Sequence, residues 1–530
     1  MENRTATAAA IQPVVETAQG KIRGVRERNC YSFKGIRYAS AERFGLPRAP
    51  AKWSGIRDAL EFGASAPQSD PNPPDHSGPP AIILAQLPRS ATAGPPPKRQ
   101  PESEDCLFLN VWSAGINDGR KRPVMVSLHG GFFSAGSGSG LDGSMLAGRG
   151  DVVVVSLNHR LNLFGFTHLE DLGGRDFAFS GNAGMFDILA ALEWVRDNIE
   201  AFGGDPARVM VFGTSGGGMK TSFLLASPRA RGLFHRSAVE SGPGLRFMEP
   251  DAASKVTERL LSKLNLGVAQ MGELRTMPMQ RLLAAYHAIA REMPPKRFID
   301  LPCFAPVIDS LALPRQPFSP DAAPQTAEIP MLTGWNAQEM TFFMGNDPQA
   351  FTLVDEESAI DRASAFLGDR SRSVMDFYRA AYPNVSASRR YIQAFSDYSL
   401  MLPELALAER KTALGGAPNF VYRFDFQSPA LGGKLGAFHT LQNPFEMNTV
   451  GSSRPLVGPG EEPLRLAAQM SAAWVQFAAT GDPDGAAPGL PTWPRYDLSA
   501  RPTMVLNLES RLENDPTREA RQLLAPLLEA

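Results

Sequence analysis

One short stretch, residues 208–219, constrains the fold of this chain more than any other. It begins as an apolar run rich in valine, which predicts a buried strand. It continues through Ser215 in the pattern Gly-x-Ser-x-Gly, and residues 218–226 are predicted to form a helix that ends before Pro228. Strand, sharp turn and helix in this order would lift a serine hydroxyl above a sheet, where it can act as a nucleophile. Because the pattern is common, the alternative at this point is a glycine-rich turn whose serine has no catalytic role.

The segments around this stretch predict a largely parallel sheet. Residues 123–128 and 151–157 are typical of buried strands, and residues 185–199 carry apolar side chains at helical spacing. The glycines that follow end that helix, and the strand leading to Ser215 begins at once. Strand, helix and strand joined by short loops predict a crossover between parallel strands. We therefore expect an α/β fold with a mostly parallel central sheet flanked by helices.

Three regions interrupt this alternation. Residues 66–104 are rich in proline, and two interpretations stay open for them: a mobile surface loop, or a lid over the substrate entrance. Residues 251–300 and 345–415 are mostly amphipathic helix separated by loops. These two regions are expected to form helical cap regions beside the site.

Charge, cysteine content and hydropathy argue against several classes of protein. The net charge of −2 gives no reason to expect nucleic acid or an anionic membrane as a partner. The 3 cysteines lie too far apart to suggest a disulfide framework or a metal cluster. No run is long and apolar enough to predict a membrane span. Residues 1–15 lack the apolar part of a signal peptide, which favours a cytoplasmic location, or a secreted or periplasmic one if a leader was removed.

A serine nucleophile needs a base within hydrogen-bond reach, and the base needs an acid that orients it. On a strand–turn–helix scaffold the acid and then the histidine follow the serine along the chain. Three histidines follow Ser215: His235 in the next predicted strand, His287 on an amphipathic helix, and His439 in a loop after a strand. The loop position with small neighbours favours His439 as the base.

Two acids lie between the serine and this histidine in positions that suit the orienting role. Glu339 follows the predicted strand 329–334 and is placed at the carboxyl end of that strand, where sites on parallel sheets are built. Asp309 is the competitor. The position at a sheet end favours Glu339.

Backbone N–H groups for an oxyanion are expected from a turn after an earlier strand. The predicted strand 123–128 runs directly into His-Gly-Gly-Phe-Phe at 129–133. His129 in this turn is predicted to be a structural hydrogen-bonding residue rather than a base. The glycine run 136–140 lacks the lysine of a phosphate-binding loop and is discounted as one.

Sequence blocks spread over most of the chain resemble the type-B carboxylesterase family, which includes bacterial para-nitrobenzyl esterases and the cholinesterases. Residues 33–39 resemble the family's F-x-G-I-P-Y-A block, and residues 103–111 resemble its E-D-C-L-Y-L-N signature. The resemblance covers about residues 14–520. Further blocks follow in the family's order at 182–187, 202–206, 213–217, 336–339, 439–445, 474–483 and 493–496.

The resemblance implies an α/β-hydrolase fold with a single large catalytic domain over 14–520. It implies that Ser215, Glu339 and His439 form a catalytic triad, and it implies no cofactor and no metal. The implied oxyanion hole is made of N–H groups at or near Gly130, Gly131, Phe132 and Gly216, and the implied substrate pocket includes Phe132, Phe133 and Thr214.

The sequence departs from the family's pattern at several positions. Thr214 and Gly216 stand where the family's elbow has Glu and Ala, and Phe132 stands at the third glycine of H-G-G-G. The benzyl group of Phe132 is expected to restrict the site. The cysteine that usually pairs with Cys106 is missing, so Cys106 is expected to be a free thiol and the segment 66–104 to be untethered.

The resemblance and the predicted site favour a serine carboxylic-ester hydrolase that acts through an acyl-enzyme on small-molecule esters. Cholinesterases hold a quaternary ammonium with a tryptophan and a glutamate; segment 66–104 has no tryptophan and Thr214 replaces the glutamate, so neutral esters are expected. Two alternatives are a catalytically weak binding or adhesion member of the superfamily, and amide or lactone hydrolysis by the same triad. The natural substrate and the oligomeric state stay open.

Overall fold

The computed structural model describes residues 12–27, 29–72, 100–295, 300–344 and 347–528. Within these ranges, eleven strands form one mixed sheet and three short strands form a second. The strands are β1 (Val14–Glu16), β2 (Lys21–Arg23), β3 (Val25–Glu27), β4 (Cys30–Arg37), β5 (Ile56–Asp58), β6 (Phe108–Ser113), β7 (Arg122–Ser127), β8 (Val153–Leu157), β9 (Gly204–Thr214), β10 (Arg236–Glu240), β11 (Met331–Asn336), β12 (Asn419–Phe424), β13 (Pro502–Leu506) and β14 (Arg511–Asn514).

Helices connect most of the parallel strands and cover the large sheet. No helix of the described ranges is long and apolar enough to cross a membrane. The α-helices are Ser144–Gly150, Asn162–Phe166, Glu170–Gly173, Ala183–Asn198, Gly216–Ala226, Pro250–Lys263, Met279–Glu292, Met340–Phe343, Glu356–Leu367, Ser371–Ala381, Ala387–Ser396, Leu402–Leu414, Asn443–Glu446, Arg454–Val457, Glu462–Thr480 and Arg518–Leu524.

The large sheet runs in the order β14-β13-β12-β11-β10-β9-β7-β8-β6-β4-β3. Neighbours from β13 to β8 pair in parallel. At the edges, β14 on one side and β6, β4 and β3 on the other pair antiparallel. The predicted α/β fold with a mostly parallel central sheet is confirmed. The strand that leads to Ser215, β9, lies in the middle of the sheet between β7 and β10.

Both faces of β9 are buried. Val209 and Val211 belong to a hydrophobic cluster that includes the helix following this strand. Met210 and Phe212 belong to the cluster on the other face, which includes the long helix Glu462–Thr480. Successive side chains of a strand point to opposite faces, and a strand covered on both faces is apolar throughout. The valine-rich run therefore identifies the central strand of the sheet.

The two predicted cap regions differ in how they pack. The helices between residues 356 and 414 build their own hydrophobic cluster, to which Trp335 contributes from β11. The helices Pro250–Lys263 and Met279–Glu292 instead join the main cluster against the sheet. Residues 296–299 and 345–346 of the predicted caps lie outside the described ranges.

The proline-rich segment 66–104 lies mostly outside the described residues, since 73–99 are not described. Its two ends are joined by backbone hydrogen bonds. Ser65 N donates to Pro101 O at 3.0 Å, and Ser103 N donates to Ser65 O at 2.9 Å. Cys106 is a free cysteine, so the disulfide that the sequence predicted to be missing is absent here. The two ends of the segment are nevertheless held together by these hydrogen bonds.

Candidate active site

Ser215 lies in a sharp turn between the centre of the sheet and a helix. β9 ends one residue before it, and the helix Gly216–Ala226 begins directly after it. The serine has φ 62° and ψ −126°, a conformation that costs a non-glycine residue about 1–3 kcal/mol. A Cβ on Gly213 would lie 2.4 Å from Leu128 O, and a Cβ on Gly217 would lie 2.1 Å from it. The turn therefore fits against the neighbouring loop only when both flanking positions are glycine.

His439 and Glu339 form a buried pair. Glu339 Oε2 lies 2.6 Å from His439 Nδ1, and their side chains are 0% and 2% exposed. The other carboxylate oxygen of Glu339 accepts from Asn336 N at 2.6 Å, and Asn336 Nδ2 donates to Phe438 O at 2.6 Å. These bonds join the loop after β11 to the loop after β12. Glu339 thereby fixes the orientation of the imidazole and favours a proton on Nδ1.

The second ring nitrogen of His439 is left for the cavity beside Ser215. Nε2 is buried and has no hydrogen-bond partner among the described residues. His439 and Ser215 line the same cavity of about 510 Å³. The rings of Phe342 and Phe343 lie 5.9 and 4.9 Å from the imidazole, centre to centre. The structure thus brings Ser215, Glu339 and His439 to one place.

The competing residues of the sequence lie in other surroundings. The carboxylate of Asp309 accepts from Asn182 Nδ2 at 2.6 Å and from Leu311 N at 2.8 Å, so it fixes its own loop. His235 Nδ1 accepts from the β9 backbone at 3.3 Å, and His287 Nε2 lies 3.1 Å from a backbone carbonyl oxygen. In the described ranges, no three His, Cys, Asp or Glu side chains converge in a way that would hold a metal ion.

The loop 130–132 lies against the turn that carries Ser215. A Cβ on Gly130 would be 3.5 Å from Ser215 Cβ, and a Cβ on Gly216 would be 2.4 Å from Phe132 N. Gly131 has φ 83° and Phe132 has φ 52°, so the backbone turns sharply here. The N–H groups of Gly131 and Gly216 donate no hydrogen bond to any described residue. These backbone groups therefore lie together at a helix N-terminus, where the helix dipole favours negative charge.

The two phenylalanines of this loop face different surroundings. Phe132 lines both cavities that meet at Ser215. Phe133 is fully buried, with its ring centre 5.2 Å from that of Phe166 and 5.9 Å from that of Phe247. The prediction that Phe133 lines the substrate pocket is wrong, because the turn at Phe132 directs the following side chain into the core.

Thr214, which was predicted in the substrate pocket, lines the larger cavity and leads into a buried polar network. Its hydroxyl accepts from Gln442 Nε2 at 3.0 Å and lies 2.8 Å from Asn443 Oδ1 and 3.1 Å from Glu240 Oε2. Trp474 Nε1 donates to the other oxygen of Glu240 at 2.8 Å. The threonine hydroxyl is therefore hydrogen-bonded within this network.

Two carboxyl groups that sequence reasoning missed, Glu240 and Glu446, lie next to each other in this network. Burial raises the pKa of Glu240, and burial together with the adjacent Glu240 raises the pKa of Glu446 well above its ordinary value. Two buried carboxyl groups in contact share a proton, since both cannot ionise. Glu446 also lines the larger cavity. A signal existed for Glu240, an acid at the end of an otherwise buried strand, but none for Glu446.

Ser215 lies between two cavities. The smaller one has a volume of about 230 Å³, and its lining is largely apolar, with two arginines and one carboxyl group, that of Asp300. Space on both sides of the serine suits a substrate that places one group on each side of an attacked atom. The lining of the smaller cavity includes Ser215, Phe132, Met219, Leu245, Arg246, Leu301, Leu400 and Arg410.

The chain is similar in sequence and in structure to several esterases. The Carboxylesterase family matches residues 11–524. A para-nitrobenzyl esterase of Bacillus subtilis (strain 168) is 34% identical over 521 residues, covering 97% of this chain and 98% of that protein. A phenmedipham hydrolase of Pseudarthrobacter oxydans is 32% identical over 511 residues, covering 94% and 96%. The crystal structure of the Geobacillus stearothermophilus carboxylesterase EST55 at pH 6.2 superposes with a TM-score of 0.80 at 33% identity, covering 96% of this chain and 99% of that one.

Proposed function

The chain belongs to the carboxylesterase family and is a serine ester hydrolase, and we propose that Ser215, His439 and Glu339 are the residues that carry out its hydrolysis. The observation that carries this proposal is the buried Glu339–His439 pair, with 2.6 Å between Oε2 and Nδ1, in which His439 lines the same cavity as Ser215. A pair of this kind holds an imidazole in the tautomer that can accept a proton at Nε2.

In the proposed reaction, Ser215 Oγ attacks the ester carbonyl carbon while His439 Nε2 takes the hydroxyl proton. The negative charge that develops on the carbonyl oxygen is held by N–H groups of the loop 130–132 and of Gly216. As the tetrahedral intermediate collapses, the bond to the alcohol oxygen breaks and His439 gives that oxygen its proton. A water molecule then repeats the sequence on the acyl-enzyme, which releases the acid and restores the serine. Glu339 stabilises the imidazolium at each step.

We further propose that the substrates are small neutral esters. The serine lies between two cavities, which fits one for the acyl part and one for the alcohol part. Glu446, the carboxyl group on the lining of the larger cavity, is held protonated by burial and by Glu240. The one negative charge of this pair is left on Glu240, which is not on the lining and is hydrogen-bonded to Thr214 and Trp474. An ammonium group in this cavity would lose its hydration with no ionised carboxylate on the lining to compensate for it.

Ser215→Ala tests the proposed nucleophile. We expect a loss of turnover on the order of 10⁶-fold with 4-nitrophenyl acetate, because the remaining groups cannot form an acyl-enzyme. A fluorophosphonate should label the wild-type protein on the peptide that contains Ser215 and should not label the variant. Retention of a tenth of the activity, or labelling of another serine, would reject Ser215.

A panel of esters tests the substrate class. Neutral aryl and alkyl esters should be hydrolysed with a much larger kcat/KM than butyrylthiocholine. The comparison is made with a neutral ester or thioester of the same size as butyrylthiocholine. Equal values for butyrylthiocholine and its neutral isostere would contradict the proposed preference. The Ser215→Ala protein serves as the blank for each substrate.

A further inference from the structure

A lysine is fully buried one turn beyond Ser215. Lys220 lies in the helix Gly216–Ala226 and is 0% exposed. Its Nζ donates to the carbonyl oxygen of His129 at 2.7 Å and lies 5.8 Å from the ring centre of Phe133. Lysine is almost never fully buried without an acidic partner. Among the described residues, no carboxylate pairs with this amine.

The titratable groups around Lys220 are neutral. The rings of His129 and His159 are stacked 4.8 Å apart. Burial and the charge of Lys220 lower the pKa of His129 to about 3 and that of His159 well below its ordinary value. Beyond His159 lies the buried ion pair of Arg160 and Asp187, whose charges balance each other. Burial lowers the pKa of Lys220 itself to about 7.

The acceptor of this hydrogen bond belongs to the loop that approaches Ser215. The carbonyl of His129 and the N–H of Gly130 are the two ends of one peptide group. A Cβ on Gly130 would lie 3.5 Å from Ser215 Cβ, so this peptide adjoins the reacting serine. A donor on the carbonyl end of a peptide polarises it and strengthens the N–H at the other end.

We propose that Lys220 is a positioning residue for ester hydrolysis, which fixes the loop 130–132 through His129 and strengthens its N–H groups toward the oxyanion. This inference rests on the proposed function of that loop. A lysine that merely filled space would affect the stability of the fold but would leave the transition state untouched. The inference therefore requires an effect on kcat that exceeds the effect on KM.

The test is Lys220→Met, which keeps the length and removes the donor and the charge. Lys411→Met is the matched control. Lys411 lies in the helix Leu402–Leu414 and is another buried lysine, 1% exposed, and its Nζ donates to Ala417 O at 3.0 Å. With 4-nitrophenyl acetate, Lys220→Met should lower kcat about tenfold, less than the ~10²–10³-fold of a deleted oxyanion donor, with KM within about twofold. A trifluoromethyl ketone, which forms an oxyanion on Ser215, should bind more weakly by the same factor. Lys411→Met should change neither value.

The pH profile supplies a second readout that a structural role would not move. The wild-type kcat should fall severalfold as pH rises through about 7, because the amine loses its charge there. Lys220→Arg keeps a charge at every accessible pH and should retain kcat without this decline. If Lys220→Met does not fold, the wild-type and Lys220→Arg profiles still decide the question.

The inference is overturned if Lys220→Met keeps kcat and ketone affinity within twofold of the wild type, or if the wild-type and Lys220→Arg profiles coincide above pH 7. Failure of the proposed function would give a different result. Ser215→Ala would then remain active, or Ser215 of the wild-type protein would not be labelled by the fluorophosphonate. A folded Lys220→Met protein with lowered kcat and a fluorophosphonate-labelled Ser215 supports both.

Discussion

Gly216→Ala is expected to move apart the two parts of the proposed oxyanion site, which are the loop 130–132 and the N–H group of residue 216. The added Cβ would lie 2.4 Å from Phe132 N and 2.5 Å from Phe132 Cα and O. These are backbone atoms and cannot rotate away. To reach an ordinary contact of 3.4 Å, the loop or the turn must retreat by about 1 Å from the 2.4 Å separation.

The size of the effect follows from this displacement. A misplacement of about 1 Å in a catalytic group costs about 10²-fold in rate, and loss of one oxyanion donor costs about 10²–10³-fold. We therefore expect kcat/KM for 4-nitrophenyl acetate to fall about 10²–10³-fold in Gly216→Ala. The fold should survive, because alanine is a better helix former than glycine at the start of Gly216–Ala226.

Two further variants test the reasoning. Gly272→Ala is the control, because a Cβ there meets nothing within 4 Å, and its activity should equal that of the wild type. Phe132→Gly in the Gly216→Ala background should recover part of the loss, since glycine tolerates the φ of 52° at position 132 and lets the loop shift. A Gly216→Ala protein that keeps more than a tenth of the wild-type kcat/KM would refute the argument.

The buried acids and the thiols have three further expected outcomes. Glu339→Gln keeps the shape of the pair and removes its charge, so kcat should fall on the order of 10⁴-fold, whereas Asp309→Asn should stay within a few-fold; the reverse order in steady-state rates would reject Glu339 as the acid. Glu446 keeps its proton in the fold at pH values where the unfolded chain has lost it, so its contribution to the free energy of unfolding declines as pH rises above about 4.5. Glu446→Gln should remove that decline, and thermal melting midpoints of both proteins between pH 5 and 9 would show a constant difference if the idea is wrong. Cys30, Cys106 and Cys303 are free, and titration of the unreduced, denatured protein should find three thiols; one thiol would mean a disulfide.

The parts of the fold that sequence predicted are those whose burial is uniform along an element. The apolar run of β9 is covered on both faces, and this is the pattern that a central parallel strand requires. The last strand, β14 (Arg511–Asn514), was not predicted. Its side chains are largely exposed, and they show no alternation of apolar and polar residues that would mark a buried face. It lies at the edge of the sheet and forms through pairing with β13. Such a strand is specified by its neighbour rather than by its own residues.

The site divides in the same way. The glycines around Ser215 act locally, so their pattern was enough to predict the turn. The order of acid and histidine along the chain indicated Glu339 and His439. Lys220 gave no signal, because a lysine on a predicted helix is normally solvated. Its burial depends on the 128–133 loop covering the helix, which is a contact between distant segments. Phe133 was placed wrongly for a different reason, since one positive φ at Phe132 decides which side the next ring faces.

The central position of β9 has a consequence for the exchange of its amide hydrogens with solvent. β9 is hydrogen-bonded to β7 on one side and to β10 on the other, so its amides can reach deuterium only when the sheet itself opens. The helices between 356 and 414 form their own cluster, and their amides can exchange by opening of that part alone. Deuterium uptake in residues 209–213 therefore measures the stability of the whole sheet. Because the strand that carries Ser215 exchanges last, partly unfolded forms of the protein will retain the serine turn after the cap has opened.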